Sequence, residues 1–272
     1  MDTARCTEDD VRYLASHFAL LPAAELERKR RALVCDSCGA EAYFRKASAS
    51  GQGACFGARP HGLLCQATAI GAVKGNANPE EQDILDNPGD VIELDLCYGR
   101  AGTGTPLPWQ APVTTPGSAG RYTGLGSGAP ALTRRRLTPI LRNLIYSEPF
   151  RNSSQVINVP GQGIHTIRRF FVSTHQVHAG LEGWHLGYWG MIASVGVAND
   201  EGALWLNAGG YGDYSVLVSE NMVSDLLRRA RKQDVDALAG CHLLVLGELR
   251  RSGGGKLWVY LDDVERCAVY DD

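Results

Sequence analysis

Residues 242–270 read HLLVLGELRRSGGGKLWVYLDDVERCAVY, and this stretch carries the reading of the fold. Leu243–Arg250 and Lys256–Leu261 are strand-like runs joined by the turn Ser252, Gly253, Gly254, Gly255, a hairpin signal. In the second run Leu257, Val259 and Leu261 share one face while Trp258 and Tyr260 share the other, because strand side chains alternate. Upstream, residues 221–233 place Met222, Leu226, Leu227 and Ala230 at helical spacing, with arginines on the opposite side. Tyr214–Val218 reads as a strand. Met191–Val197 and Ala203–Asn207 form another hairpin across the turn at 199–202.

The order is strand, strand, strand, helix, strand, strand. It is the order of an oligonucleotide-binding (OB) barrel, in which the helix plugs one end. The stretch GELRRSGGGKLWVYLDDVERCAVY (247–270) resembles the closing strands of single-strand-binding OB proteins. The likeness covers residues 187–272 and implies a five-stranded OB-type barrel that binds single-stranded nucleic acid. A generic small β-barrel is the alternative. The expected class is α+β, mostly β.

Fold does not supply function, so the case rests on residues. Trp205, Tyr214, Trp258 and Tyr260 on the barrel strands, beside Arg250, Arg251 and Lys256, would offer base stacking together with phosphate neutralisation. The alternative is that these aromatics pack beneath a neighbouring element. Residues 121–170 add eight arginines (Arg121, Arg134, Arg135, Arg136, Arg142, Arg151, Arg168, Arg169) against one acid, Glu148, for a local charge of +7. Arginine suits bidentate phosphate contacts. Residues 76–100 run the other way, at -6. The arginines could therefore pair with the acidic stretch instead, within the chain or across subunits.

A CxxC knuckle, Cys35-Asp-Ser-Cys38, is followed by Gly39, suited to the tight turn around a metal. His61 and Cys65 would complete a closed Cys3His tetrahedron, the structural kind of zinc site. Cys55 could replace His61 as ligand. The knuckle, AYFRKAS, CFGARPH and the final Cys resemble the N-terminal zinc module of CoiA-like competence proteins, with Cys55 where that pattern has a His. Reduced core cysteines are the alternative. Cys6, Cys97, Cys241 and Cys267 read as apolar fillers.

Elsewhere, Thr7 and Asp10 suggest a helix start, with Val11, Leu14, Phe18 and Leu21 on one face and a second helix over 22–33. Residues 101–133, with seven glycines and five prolines, read as a long loop. Thr138 and Pro139 open a helix with Ile140, Leu141, Leu144 and Ile145 on its apolar side. Strands are expected near 91–96, 154–159 and 168–174. The resulting division is 1–100 helical and zinc-finger-like, 101–133 loop, 134–183 arginine-rich, and 184–272 OB fold.

The chain has 272 residues, 44% hydrophobic and 21% charged, with a net charge of -3, which is ordinary globular composition without a uniformly basic coat. The acidic opening MDTARCTEDD is followed by no apolar run, and no stretch is long enough to span a bilayer, so a cytoplasmic protein with reduced thiols is expected. Asp86, Asp90, Glu93 and Asp95 are thin grounds for a two-metal nuclease, since no Glu-x-Lys follows them on a strand. His175, His178 and His185 form a loose cluster. Phosphate-loop, dinucleotide and nucleophile-elbow signatures are absent. The expectation is a non-enzymatic binder of single-stranded nucleic acid, DNA before RNA, with structural zinc. A non-catalytic interaction subunit of a larger prokaryotic nucleic-acid-processing, defence or mobile-element complex is the alternative, a homo-oligomer or a protein partner being compatible with either. A metal-dependent nuclease is the third reading.

Overall fold

A computed structural model describes residues 1–47, 54–58, 61, 65, 79–86, 91–96, 132–198, 202–208 and 214–271. The expected loop up to residue 131, Arg121, Cys97, Asp90 and the turn residues 199–201 lie outside these. The described residues are mixed α/β and mostly strand, with seven α-helices. None of those helices is long and apolar enough to cross a membrane.

The chain opens with β1 (Thr3–Cys6), β2 (Arg12–Leu14), α1 (Ala15–Phe18), α2 (Ala23–Lys29), β3 (Leu33–Val34), β4 (Ala42–Arg45) and β5 (Cys55–Ala58). The expected first helix is mostly a hairpin. Ala4 pairs with Tyr13 and Arg5 with Arg12, and Asp10 turns the chain in the left-handed region at φ 58°. Val11 and Leu14, which helical spacing would bury, are accordingly exposed. Phe18 does enter the core, with ring centroids 5.0 Å from Phe44 and 5.4 Å from Phe56. Cys6 fills that core as expected.

The middle contains α3 (Pro79–Asp86), β6 (Val91–Leu94), β7 (Leu132–Arg135), α4 (Leu137–Tyr146), α5 (Glu148–Arg151), β8 (Val156–Val159), β9 (Gly163–Thr166), α6 (Ile167–Phe170) and β10 (Phe171–Ser173). Four of the strands form a sheet in the order β7-β6-β8-β9. Only part of the strand expected over 168–174 forms. Ile167 and Phe170, three residues apart, both bury from a single helical turn, and the strand starts after it. Helix α4 buries Ile140, Leu141, Leu144 and Ile145 as its periodicity requires, although Arg136 rather than Thr138 stands at its N-cap.

Next come β11 (His185–Val197), β12 (Leu204–Ala208), β13 (Tyr214–Val218), α7 (Glu220–Ala230), β14 (His242–Arg251), β15 (Leu257–Leu261) and β16 (Cys267–Tyr270). Strands β11-β12-β13-β15-β14 pair in that order, and β14 pairs back to β11, closing a five-stranded barrel. The β13–β15 pairing is parallel, and the others around the barrel are antiparallel. This topology is compatible with an OB-type barrel, α7 falling between the third and fourth strands. Strands β10 and β16 extend the sheet at its two ends. Leu226 and Ala230 of α7 join one core that runs from the barrel into the middle sheet, and Cys241 and Cys267 are buried in it.

Tyr43 docks the N-terminal module on the barrel. A Cβ at Gly57 would stand 2.4 Å from its ring, and one at Gly240, just before β14, 2.2 Å. Gly240 also has φ +86°, a region costly for any residue with a Cβ. Gly240→Ala is expected to lower stability by about 2–4 kcal/mol, from left-handed strain plus overpacking, read as a shift in chemical-denaturation midpoint.

Candidate metal centre and nucleic-acid interface

The turn between β3 and β4 carries the CxxC knuckle. The Gly39 N–H donates to the Cys35 carbonyl at 2.8 Å and the Cys35 N–H to the Ala40 carbonyl at 2.7 Å. Gly39 has φ +71°, the left-handed conformation that lets the knuckle turn so tightly. One ligand atom each from Cys35, Cys38, His61 and Cys65 lies within 4.8 Å of the others, a group that could hold a metal ion. The Cys35 and Cys65 Sγ atoms are 3.7 Å apart, as are Cys38 Sγ and His61 Nδ1. Bonds of about 2.3 Å to a tetrahedral metal set its ligands about 3.8 Å apart, whereas a disulfide needs about 2.05 Å. The donors are thus spaced for a metal. Cys55 is no substitute ligand, because it opens β5 opposite Arg45 and is not in the group.

On the barrel, Trp205 of β12 and Trp258 of β15 meet edge to face, with centroids 5.9 Å apart and planes at 82°. Lys256 Nζ lies 4.3 Å from the Trp205 centroid, and the Arg250 guanidinium 5.5 Å from that of Trp258. Both indoles are half-buried, Tyr260 is 37% exposed, and Arg250 and Arg251 are exposed. Strand alternation therefore brings Trp205, Arg250, Lys256 and Trp258 into one cluster, with Tyr260 on the same strand face as Trp258. Tyr214 is a correction. It is 4% exposed, inside the barrel against Tyr188 at 5.8 Å, and burial holds its phenol far above the ordinary range. It cannot present a ring to a base there.

The arginines separate into two kinds. Arg135 pairs with Asp83 and is only 12% exposed, and Arg142 pairs with Glu81 at 2.9 Å while lying over the Tyr270 ring. Both are thus tied to the acidic helix α3, correcting the expectation that they face phosphate. Arg151 donates to the carbonyls of Leu144 and Ile145 at 2.8 and 3.0 Å, satisfying the end of α4. Arg136 is half-buried. Arg134, Arg168 and Arg169 remain exposed. Arg134 sits on edge strand β7 and the other two directly follow edge strand β9, so the sheet holds them at opposite sides and forms no single basic groove from them.

The acidic and histidine candidates do not converge. Glu93 accepts from Asn158 Nδ2 at 3.0 Å, and no carboxylate cluster with metal-ligand spacing occurs among the described residues. His175 Nε2 lies 3.1 Å from Glu41, which raises its pKa, while His178 Nδ1 accepts from the Gly180 N–H. Trp189, which sequence patterning did not single out, lies under the Arg151 guanidinium at 5.9 Å. Its strand position was readable, but the helix end facing it was not.

Removing Arg142 takes an ion-pair partner from the buried Glu81 carboxylate. Arg142→Ala is expected to cost about 1–3 kcal/mol in chemical denaturation, whereas Arg168→Ala and Arg169→Ala should stay within about 0.5 kcal/mol. No protein-family model, curated protein or solved structure matches the chain.

Proposed function

We propose that this chain binds single-stranded nucleic acid on the outer face of an OB-type barrel, with a zinc ion stapling the N-terminal module. The observation that carries the reading is the Trp205–Trp258 pair with Lys256 and Arg250 against its rings. Indole faces accept any unstacked base at about 1–3 kcal/mol per base, and adjacent cations neutralise the phosphates on either side. Duplex bases are already stacked, so such a surface favours single strands. Local placement of a few cations suffices even in a chain of net charge -3. We read the protein as a non-enzymatic, cytoplasmic binder that prefers DNA.

Three thiolates and an imidazole in tetrahedral spacing suit Zn2+, and a site with four protein ligands leaves no position for reactive water. The module's small core, closed by short strands, gains most of its order from such a staple. A second reading, docking onto a protein partner, is favoured by the exposed Val11, Leu14 and Leu20 on the N-terminal module.

Fluorescence anisotropy with labelled single- and double-stranded oligonucleotides tests the barrel face. Single strands should bind more tightly, more weakly as salt rises, and about five- to a hundred-fold more weakly in Trp258→Ala. Absence of binding at micromolar protein, or equal affinity for duplex, would overturn the reading in favour of docking. For the metal, elemental analysis should find about one zinc per chain, retained in Cys55→Ser and lost in Cys38→Ser. A metal-free wild type with normal stability would remove the staple.

A further inference from the structure

A cleft of about 510 Å3 opens where the three parts of the chain meet, away from the Trp205–Trp258 pair. Its size is within the ~300–1,000 Å3 typical of small-molecule sites. Glu41 enters from the N-terminal module, Arg151 from the end of α5, Arg168 from α6, His175 from the segment after β10, and Trp189 from β11. Each offers a distinct and fixed interaction. The Arg151 guanidinium is anchored by the two α4 carbonyls and lies over the Trp189 ring, 5.9 Å from its centre, so cation and indole are held as one stacked pair. Arg168 is exposed and enters no ion pair among the described residues. Glu41 Oε2 is held by His175 Nε2 at 3.1 Å, while Glu41 Oε1 is buried with no hydrogen-bond partner.

A buried carboxylate oxygen without a donor is costly and wants an N–H. A guanidinium stacked on an indole offers its outer face to a further flat ring, and an unengaged arginine wants an anion. We propose that this cleft is a second ligand site, made of other residues than the barrel face, that takes one nucleotide whose base bears an exocyclic amine. The base stacks at Trp189 and Arg151, its amine donates to Glu41 Oε1, and the phosphate meets Arg168. Carboxylates accept from the cytosine amine in the same manner elsewhere. Uracil and thymine offer a carbonyl at that position, which Glu41 would repel. The nucleotide could be free or part of a strand, and the chemistry is shared.

Isothermal titration of the full chain with cytidine monophosphate, uridine monophosphate and inorganic phosphate tests the site. Cytidine monophosphate should bind at least tenfold more tightly than uridine monophosphate, and phosphate alone more weakly still. Glu41→Gln should abolish that preference and Arg168→Ala should weaken both nucleotides, while Trp258→Ala leaves them unchanged. Trp189→Phe keeps the fold testable where Trp189→Ala does not. If no mononucleotide binds at millimolar concentration, a short cytosine-rich oligonucleotide weakened tenfold by Glu41→Gln and Arg168→Ala identifies a strand nucleotide as the occupant. Equal binding of the two mononucleotides, or their loss in Trp258→Ala, would overturn the proposal. So would oligonucleotide binding that depends on Trp258 but is indifferent to Glu41 and Arg168, and that result leaves the barrel-face reading standing.

Discussion

Everything in this structure hangs on β11 having to pair twice within the barrel. Its thirteen residues are too many for one short partner, so the first half, through Met191, bonds to β14 and the second, from Ile192, to β12. A register shift between Ile192 and Ser194 takes up the change of direction, as bulges do at barrel corners. Closure follows, and with it the burial of Tyr188, Tyr214, Val216 and Val259 in one interior. An open sheet of the same strands would leave two rows of backbone donors and acceptors without partners. Once the barrel closes, its odd-numbered positions along β15 must face in, and Trp258 must face out.

The same closure decides how charge is used. Helix α4 packs on β14 and β16 and is buried along most of its length, so any arginine projecting from it is partly removed from water. Arg142 answers this by pairing with Glu81 and lying over Tyr270, and Arg135, on the preceding strand β7, pairs with Asp83. A desolvated guanidinium needs a partner more than it needs a ligand. Much of the described part of the +7 stretch is therefore internal architecture, while Arg134, Arg168 and Arg169 and the arginines of the barrel hairpin stay exposed.

The N-terminal module obeys a different constraint. Its core packs Phe18, Phe44 and Phe56 with Leu26, Leu33 and smaller residues between two short sheets, little apolar burial for a separate module. The Cys3His group brings Cys35 and Cys38 of the knuckle together with His61 and Cys65, so a metal there would tie these positions to one another. Tyr43, caught between Gly57 and Gly240, then locks the module to the barrel.

Local patterns were determined by the sequence itself. Both barrel hairpins, strand β13, the helices α4 and α7, the Cys35–Gly39 knuckle and the outward placement of Trp205 and Trp258 follow from alternation, helical spacing and turn residues within a few positions of one another. What depended on distant partners was decided only by the tertiary structure. Residues 11–14 carry a helical pattern, but β1 supplied backbone partners and made them a strand. Tyr214 shares the strand face of Val216 and Val218, and closure enclosed it against Tyr188. His61 rather than Cys55 met the knuckle because β4–β5 pairing carries Cys55 away. Arg135 and Arg142 could face solvent or acid equally well by sequence, and the packing of α3 on α4 chose acid. Periodicity states which side of an element is apolar, but which element arrives to cover it depends on contacts dozens of residues away, and a single sequence does not record those.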